Sequence, residues 1–197
     1  MRSLRHHVMR LLAGAALLLG ALIATTGPAQ AAPAAPTYTG PLTVCGNSPI
    51  PAGYVITDEE TTNSCGGYRL YYLTQVTTQT SLLVCGNSPI PGGWVITDEE
   101  SWNTCGGYLR YTIQKVANQA SLLACGNSTV PAGYVITDEE SWNTCGGYLR
   151  YVLLLVNGQS SLQVCGNSPI PAGYVVTMSN SWNTCGGYQL LSLAKVG

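Results

Sequence analysis

The sequence has little charge and almost no histidine. Charged residues make up 9% of the 197 residues, and both histidines, His6 and His7, lie near the N-terminus. The rest of the chain therefore lacks the commonest general base, the commonest metal ligand and the usual activator of a serine or cysteine nucleophile. We expect no enzyme and no cofactor.

Basic residues are also scarce where they would matter for binding. Three of the eight Lys and Arg residues (Arg2, Arg5 and Arg10) precede position 31, whereas all nine acids follow it. Phosphate backbones and anionic membrane surfaces both attract clustered cations. The composition therefore predicts that nucleic acid is not a partner.

The first 31 residues predict a secretory signal peptide. An apolar run over 11–23 follows the basic residues, and Ala29-Gln30-Ala31 is a small-residue cleavage site. The run is too short to span a bilayer. We expect cleavage after Ala31, a secreted or cell-surface protein, and no membrane insertion afterwards; an uncleaved anchor is the alternative. Residues 32–41, which are rich in Ala and Pro, are expected to be a disordered leader.

From residue 42 onward the sequence repeats every forty residues. Each copy contains Cys-Gly-Asn-Ser, a proline loop, a Val-Ile-Thr or Val-Val-Thr segment, and Cys-Gly-Gly-Tyr. A period of this size predicts repeated supersecondary units. The four copies span residues 42–81, 82–121, 122–161 and 162–197.

Eight evenly spaced cysteines in an exported chain predict four disulfides. They are Cys45, Cys65, Cys85, Cys105, Cys125, Cys145, Cys165 and Cys185. Equal spacing leaves the connectivity open. Pairing within copies is favoured, because so small a unit rarely buries enough apolar surface without a staple. The alternative is a shifted set that joins Cys45 to Cys185. Zinc is disfavoured, because the sequence has no Cys-x-x-Cys pair.

Each copy contains three strand-like runs rich in Val, Ile, Tyr, Thr and Leu. In the second copy they cover 81–85, 94–97 and 108–116, with a proline loop and then a polar Asp-Glu-Glu-Ser-Trp-Asn loop between them. Asn157-Gly158, between copies three and four, is a hairpin signal. It predicts that the third strand of one copy pairs with the first strand of the next.

The predicted fold is all-β, with four tandem disulfide-stapled repeats of about three short strands each. If strands pair across the copy boundaries, the first and last strands are left without partners. Pairing them would close a small propeller-like ring and remove both exposed edges. An open row of four units is the alternative, and closure is only slightly favoured.

An acidic triplet beside a tryptophan is the first candidate binding site. An indole ring stacks on the apolar faces of sugars, while nearby polar groups bind hydroxyls. Only copies two and three hold both parts: Asp98, Glu99, Glu100, Trp102 and Asn103, and Asp138, Glu139, Glu140, Trp142 and Asn143. A solvated turn beside a core tryptophan is the alternative. Calcium is disfavoured, because adjacent carboxylates in a strand point to opposite sides.

The Ser-Pro-Ile-Pro loops at 48–51, 88–91 and 168–171 are a second candidate. A stiff loop beside a disulfide that presents one apolar side chain resembles the bait of a small protease inhibitor, since preorganisation lowers the entropic cost of binding. An ordinary Pro-Gly turn is the alternative.

Two resemblances follow from these motifs. The Val-Cys-Gly-Asn-Ser and Asn-Thr-Cys flanks of Cys85 and Cys105 resemble chaplins, small hydrophobic proteins that assemble on the aerial surfaces of filamentous actinobacteria. That resemblance implies a structural or surface-active envelope protein. The longer frame CGNSPIPxGWVIT…CGG is similar to repeats of exported bacterial proteins and implies no residue-level function.

The function that the sequence favours is a secreted, non-catalytic binding protein. Its four copies would recognise a glycan or cell-wall polymer by multivalency, in which weak sites on one chain gain avidity. A chaplin-like envelope protein and a protease inhibitor are the alternatives. The sequence leaves the oligomeric state open.

Overall fold

A computed structural model describes residues 42–101, 103–141, 143–181 and 184–197. The predicted signal peptide and leader lie outside them. The described chain is all-β and forms four three-stranded antiparallel sheets, one in each copy. The strands are β1 Leu42–Cys45, β2 Tyr54–Thr61, β3 Arg69–Gln75, β4 Ser81–Cys85, β5 Trp94–Ser101, β6 Leu109–Lys115, β7 Ser121–Cys125, β8 Tyr134–Ser141, β9 Leu149–Leu155, β10 Ser161–Cys165, β11 Tyr174–Ser181 and β12 Gln189–Lys195.

The four disulfides join cysteines within each copy, as the sequence favoured. They are Cys45–Cys65, Cys85–Cys105, Cys125–Cys145 and Cys165–Cys185. In copies one and two, the second cysteine ends a one-turn 3-10 helix, Asn63–Cys65 or Asn103–Cys105, just before the third strand. The first cysteine lies opposite the start of that strand, as Cys85 does opposite Arg110 near the start of β6. Each bond therefore ties the end of the first strand to the start of the third strand.

The third strand of every copy is the central strand of its sheet, between the first and second strands. The predicted hairpin across the copy boundary is therefore wrong, because β10 pairs with β12 of its own copy. The disulfide Cys165–Cys185 holds these two strands together. The local Asn-Gly signal is overridden by this covalent link.

The copies are joined by turns, and in each turn a glutamine side chain makes two hydrogen bonds to the backbone. Gln159 Oε1 accepts a hydrogen bond from the Asn157 N–H (2.7 Å), and its Nε2 donates to the Leu155 carbonyl (3.0 Å). Gln79 and Gln119 make the same two bonds in the earlier joins. Each join therefore leads from the central strand of one sheet to the edge strand of the next sheet.

The hydrophobic core of each of the first three copies includes the disulfide of the copy that follows. Cys85 and Cys105 pack with Ile56 and Leu73 of copy one. The later junctions repeat this arrangement: Cys125 and Cys145 pack with Ile96 and Ile113, and Cys165 and Cys185 pack with Ile136 and Leu153. Folding of one copy is thus coupled to that of its neighbour.

The four copies form an open row rather than the ring that the sequence slightly favoured. Contacts between strands of different copies join β2 to β4, β5 to β7 and β8 to β10. Val175 and Val176 of copy four are 45% and 44% exposed, whereas Val135 and Ile136 at the same positions of copy three are 0% and 1% exposed. The last copy therefore lacks a covering neighbour among the described residues.

Four disulfides fit a protein that folds in an oxidising compartment. Within the described residues, no helix has the length and apolar character needed to cross a bilayer.

Removing a disulfide that packs into the core of the preceding copy should lower the free energy of unfolding more than removing the disulfide of copy one. Cys125→Ser/Cys145→Ser and Cys45→Ser/Cys65→Ser each open a loop with a sequence separation of 20, which costs about 3 kcal/mol in the chain-entropy model. Only the loss of the Cys125–Cys145 disulfide also removes packing from the core of a preceding copy. Urea unfolding should show the lower midpoint for Cys125→Ser/Cys145→Ser, and equal midpoints would contradict the shared core.

Candidate functional site

The acidic triplets lie within strands rather than in the loop that the sequence predicted. Asp98, Glu99 and Glu100 belong to β5, which contains an irregularity where the register shifts between Ile96 and Asp98. The same shift occurs in β2, β8 and β11. A bulge re-aims the side chains that follow it, so the three carboxylates have separate surroundings.

The outer two carboxylates of each triplet have partners in their own sheet. Asp98 Oδ1 accepts a hydrogen bond from the Glu99 N–H (2.8 Å), and Glu100 accepts from Arg110 Nε (2.9 Å) and Nη2 (2.6 Å). In copy three, Asp138 and Glu139 repeat the first bond, and Glu140 pairs with Arg150. These acids are not collected into one pocket.

The middle glutamate of the triplet is buried against the next copy. Glu99 is 6% exposed, and its Oε1 accepts a hydrogen bond from Asn127 Nδ2 (2.5 Å). Its N–H also donates to the Thr144 carbonyl (2.6 Å). Gly146 leaves room for the other carboxylate oxygen, because a Cβ at that position would collide with Glu99 Oε2. This glutamate therefore joins two copies.

The other two junctions have the same buried glutamate. Glu139 accepts from Asn167 Nδ2 (2.5 Å), and its N–H donates to the Thr184 carbonyl (2.7 Å). The side chain of Glu59 is fully buried, and its carboxylate lies 3.7 Å from Arg69 Nε. A buried carboxylate thus recurs at every junction between described copies.

Burial raises the pKa of Glu99 above its ordinary value of 4.5, because desolvation disfavours the charged form. The hydrogen bond from Asn127 opposes this effect, and the neighbouring Asp98 charge adds to it. The pKa values of Glu59 and Glu139 are raised in the same direction, again chiefly by desolvation. These acids therefore keep their protons to a higher pH at the junctions than a fully solvated glutamate does.

A serine hydroxyl completes each junction. The Ile96 N–H donates to Ser128 Oγ (3.0 Å), the Ile56 N–H to Ser88 Oγ (2.9 Å), and the Ile136 N–H to Ser168 Oγ (2.8 Å). These serines belong to the Cys-Gly-Asn-Ser segment of the following copy. That segment is therefore a docking element between copies.

The remaining residues of the predicted site are two asparagines and two tryptophans. Asn103 and Asn143 are exposed, in the segments that lead to Cys105 and Cys145. Trp102 and Trp142 lie outside the described residues. The structure thus brings Glu99 together with Asn127, a residue that the sequence did not single out. A binding role for the predicted set stays a prediction.

The structure also shows a row of exposed tyrosines that the sequence motifs did not single out. Tyr68, Tyr108, Tyr148 and Tyr188 are 51–53% exposed, and one lies in each copy. Each follows a Cys-Gly-Gly turn in which both glycines have positive φ, such as 61° and 96° at Gly106 and Gly107. Other residues are strained in that conformation. The recurrence of tyrosine after such a turn was the available signal.

A backbone hydrogen bond fixes the position of each exposed tyrosine. The Tyr108 N–H donates to the Cys105 carbonyl (2.9 Å), and the corresponding distances are 3.1, 2.8 and 2.7 Å in copies one, three and four. The disulfide cysteine is buried at this point. Each tyrosine ring is therefore held at the surface by a hydrogen-bonded turn that is anchored on a buried disulfide.

Each of the last three exposed tyrosines lies near a partly buried tyrosine of the preceding copy. Burial is the main cause that raises the pKa of Tyr71, and Tyr108 contributes through its charge. Tyr148 affects Tyr111 in the same way, and Tyr188 affects Tyr151. At every junction, the charge of the ionised exposed tyrosine thus raises the pKa of a tyrosine in the preceding copy.

The proline loops of neighbouring copies border a groove of about 300 Å³ between copies two and three. Ile90, Trp94, Asn127 and Val130 line it. Ile90 and Val130 also pack partly against the cores of their copies, whereas Ile170 of the last copy is exposed. The apolar side chain of the loop is therefore presented outward in copy four, and turned toward the core in copies two and three.

In the described part of the chain, no group of three or more His, Cys, Asp or Glu residues could hold a metal ion.

No protein-family model, no curated protein and no solved structure matches the chain. The resemblance to chaplins therefore stays a prediction.

Replacing the buried glutamates by glutamine should flatten the dependence of stability on pH. The folded pKa of these acids is raised, so their favourable contribution is complete below about 4.5 and is lost as pH rises through the folded pKa. The wild-type protein should therefore lose stability as the pH rises from about 4.5 through the folded pKa of these acids. The triple variant Glu59→Gln/Glu99→Gln/Glu139→Gln should lose less, as thermal unfolding across pH can measure.

The control is Glu60→Gln, which neutralises an exposed carboxylate next to a buried one. Its pH profile should follow that of wild type. A triple variant with the same slope as wild type would show that the buried carboxylates do not titrate differently on folding.

Proposed function

We propose that the chain is exported and acts outside the cell as a non-catalytic, multivalent binding protein for an extended glycan or cell-wall polymer. The proposed contact residues are the exposed tyrosines Tyr68, Tyr108, Tyr148 and Tyr188. The observation that carries the proposal is their equal exposure at the same position of every copy.

Rigidly held tyrosines suit sugar recognition. A phenol ring offers an apolar face for the C–H groups of a sugar and a hydroxyl for hydrogen bonding. Because both glycines of the turn have positive φ and the turn is closed by a backbone hydrogen bond, the backbone around each ring is already ordered. Little backbone entropy is then lost on binding.

The repetition of the site favours a polymer over a small molecule. Each copy offers one exposed tyrosine, and a single ring gives only weak affinity. A polymer with repeating sugars can contact several rings at once, and the sites then reinforce one another through their high effective concentration. Stacked repeats present such sites in a fixed order.

The acids of the predicted site fit this proposal less well than the tyrosines do. Glu99 and Glu139 are used between copies, and Glu100 and Glu140 pair with arginines. Trp102 and Trp142 remain part of the proposal as sequence-predicted contacts, and their role can be tested separately from that of the tyrosines.

A structural role in the cell envelope is the second candidate function. It is favoured by the exposed apolar residues Val175, Val176 and Met178 on the last copy. Such a patch marks an interaction surface more often than an ordinary surface.

Alanine at all four tyrosines should abolish binding to insoluble polysaccharide. Aromatic contacts contribute about 0.5–1.5 kcal/mol each, so each single Tyr→Ala change should weaken binding roughly two- to tenfold. Sedimentation of the purified chain with chitin, cellulose and peptidoglycan measures this loss. Tyr→Phe keeps the ring face and should retain most of the binding.

Leu83→Ala/Leu123→Ala is the matched control, since it truncates two apolar side chains of similar exposure. A separate Trp102→Ala/Trp142→Ala variant assigns any remaining affinity to the sequence-predicted site. The tyrosine proposal fails if the fourfold alanine variant binds as wild type does, or if wild type binds none of the polymers.

A further inference from the structure

Every junction between copies is built from two faces. We call the face of a copy that covers its predecessor the head face, formed by its Asn-Ser segment and its disulfide. We call the covered face the tail face, formed by the two aliphatic residues and the acidic triplet of its second strand. Three junctions join a tail face to a head face in the same way.

The tail face of copy four is apolar, and no other described copy covers it. Val175, Val176 and Met178 are 45%, 44% and 57% exposed, whereas Val55, Val95 and Val135, which are equivalent to Val175, are all fully buried. The Val176 N–H occupies the position from which Ile56, Ile96 and Ile136 donate to a serine of the next copy. This face therefore has the same donor and apolar surface as the covered faces.

The head face of copy one also has no cover from another described copy, and it keeps the elements used at the other junctions. Asn47 and Ser48 are exposed, whereas the equivalent Ser88 and Ser168 are buried. Cys45 is partly exposed, although the cysteines of the later copies are fully buried. Copy one thus presents an unoccupied hydroxyl acceptor beside a disulfide.

The substitutions in copy four make its tail face less polar. Met178-Ser179-Asn180 replaces Asp-Glu-Glu, so the position of the buried glutamate holds an uncharged serine. Exposed terminal faces of repeat proteins are usually more polar than internal ones, and the change here runs the other way. An uncharged face loses less hydration when it is covered. That matters most between separate chains, because association also costs translational and rotational freedom.

We propose that the tail face of copy four binds the head face of copy one of a second chain, and so continues the internal junction between molecules. The Val176 N–H would donate to Ser48 Oγ, and the Cys45–Cys65 disulfide would cover Val175, Val176 and Met178. The two faces differ, so the contact is heterologous and each added chain leaves a new face open. Assembly then proceeds by addition at either end.

The test uses the chain from Ala32 onward with its disulfides formed. It compares the wild-type protein with two variants that each carry a new charge at an exposed position. Val176→Asp places a charge on the tail face, and Ser48→Glu places one on the head face. Sedimentation velocity and light scattering at rising protein concentration should show a ladder of oligomers for wild type. Each variant alone should remain monomeric.

An equimolar mixture of the two variants gives the decisive result. The intact head of Val176→Asp can bind the intact tail of Ser48→Glu, but no further chain can then add. The mixture should therefore reach a mass of two chains and stop. Leu83→Asp and Ser81→Glu, which place the same charges at exposed positions of β4, should assemble as wild type does.

Three results would overturn the proposal. A wild type that stays monomeric at all concentrations shows that the faces do not meet. A Ser48→Glu variant that still associates, while Val176→Asp does not, shows contact between two tail faces instead. A mixture that remains monomeric shows that the faces do not bind each other. Thermal unfolding and disulfide mapping of both variants confirm that they are folded.

Discussion

The packing of one copy's disulfide into the core of the copy before it is the constraint on which this structure depends. The cysteines of copies two to four are fully buried, and they contact Ile or Leu residues of the preceding copy. The disulfide therefore acts twice, as a staple within its own sheet and as part of a neighbour's core. The serine hydroxyl and the buried glutamate add directional contacts at the same junction, so hydrophobic cover and register are set together.

Differences between the copies follow from their places in the row. Copy four has no successor among the described residues, and it lacks the acidic triplet that the earlier copies use at their junctions. It also has Leu191 where the first three copies have Tyr71, Tyr111 and Tyr151, which lie near an exposed tyrosine of the following copy. What looked in the sequence like an incomplete binding site in copy four coincides with the copy whose tail face no other described copy covers.

The sequence predicted the period and the three strands of each copy, because these depend on local composition and on the spacing of the motifs. Equal cysteine spacing left the disulfide pairing open, and pairing within copies was favoured because so small a unit needs a staple. Ser81–Cys85 was predicted with the bounds that the structure has. The strand that holds Glu99 was predicted to end too early, because carboxylates are rare in strands and the stabilising partner, Asn127, lies 28 residues away. The order of strands in each sheet also escaped prediction, since the Asn157-Gly158 signal is local whereas the Cys165–Cys185 bond acts over a longer range.

If the following copy covers the core of each copy, the amide protons at the junctions should be protected from exchange. The N–H groups of Ile56, Ile96 and Ile136 donate to serines of the next copy, and no other described copy covers the equivalent Val176 N–H. Hydrogen exchange in a dilute solution of the native chain is the most direct measurement, because it resolves these four amides individually. The account predicts strong protection at the three isoleucines and fast exchange at Val176. Equal protection at all four positions would contradict it.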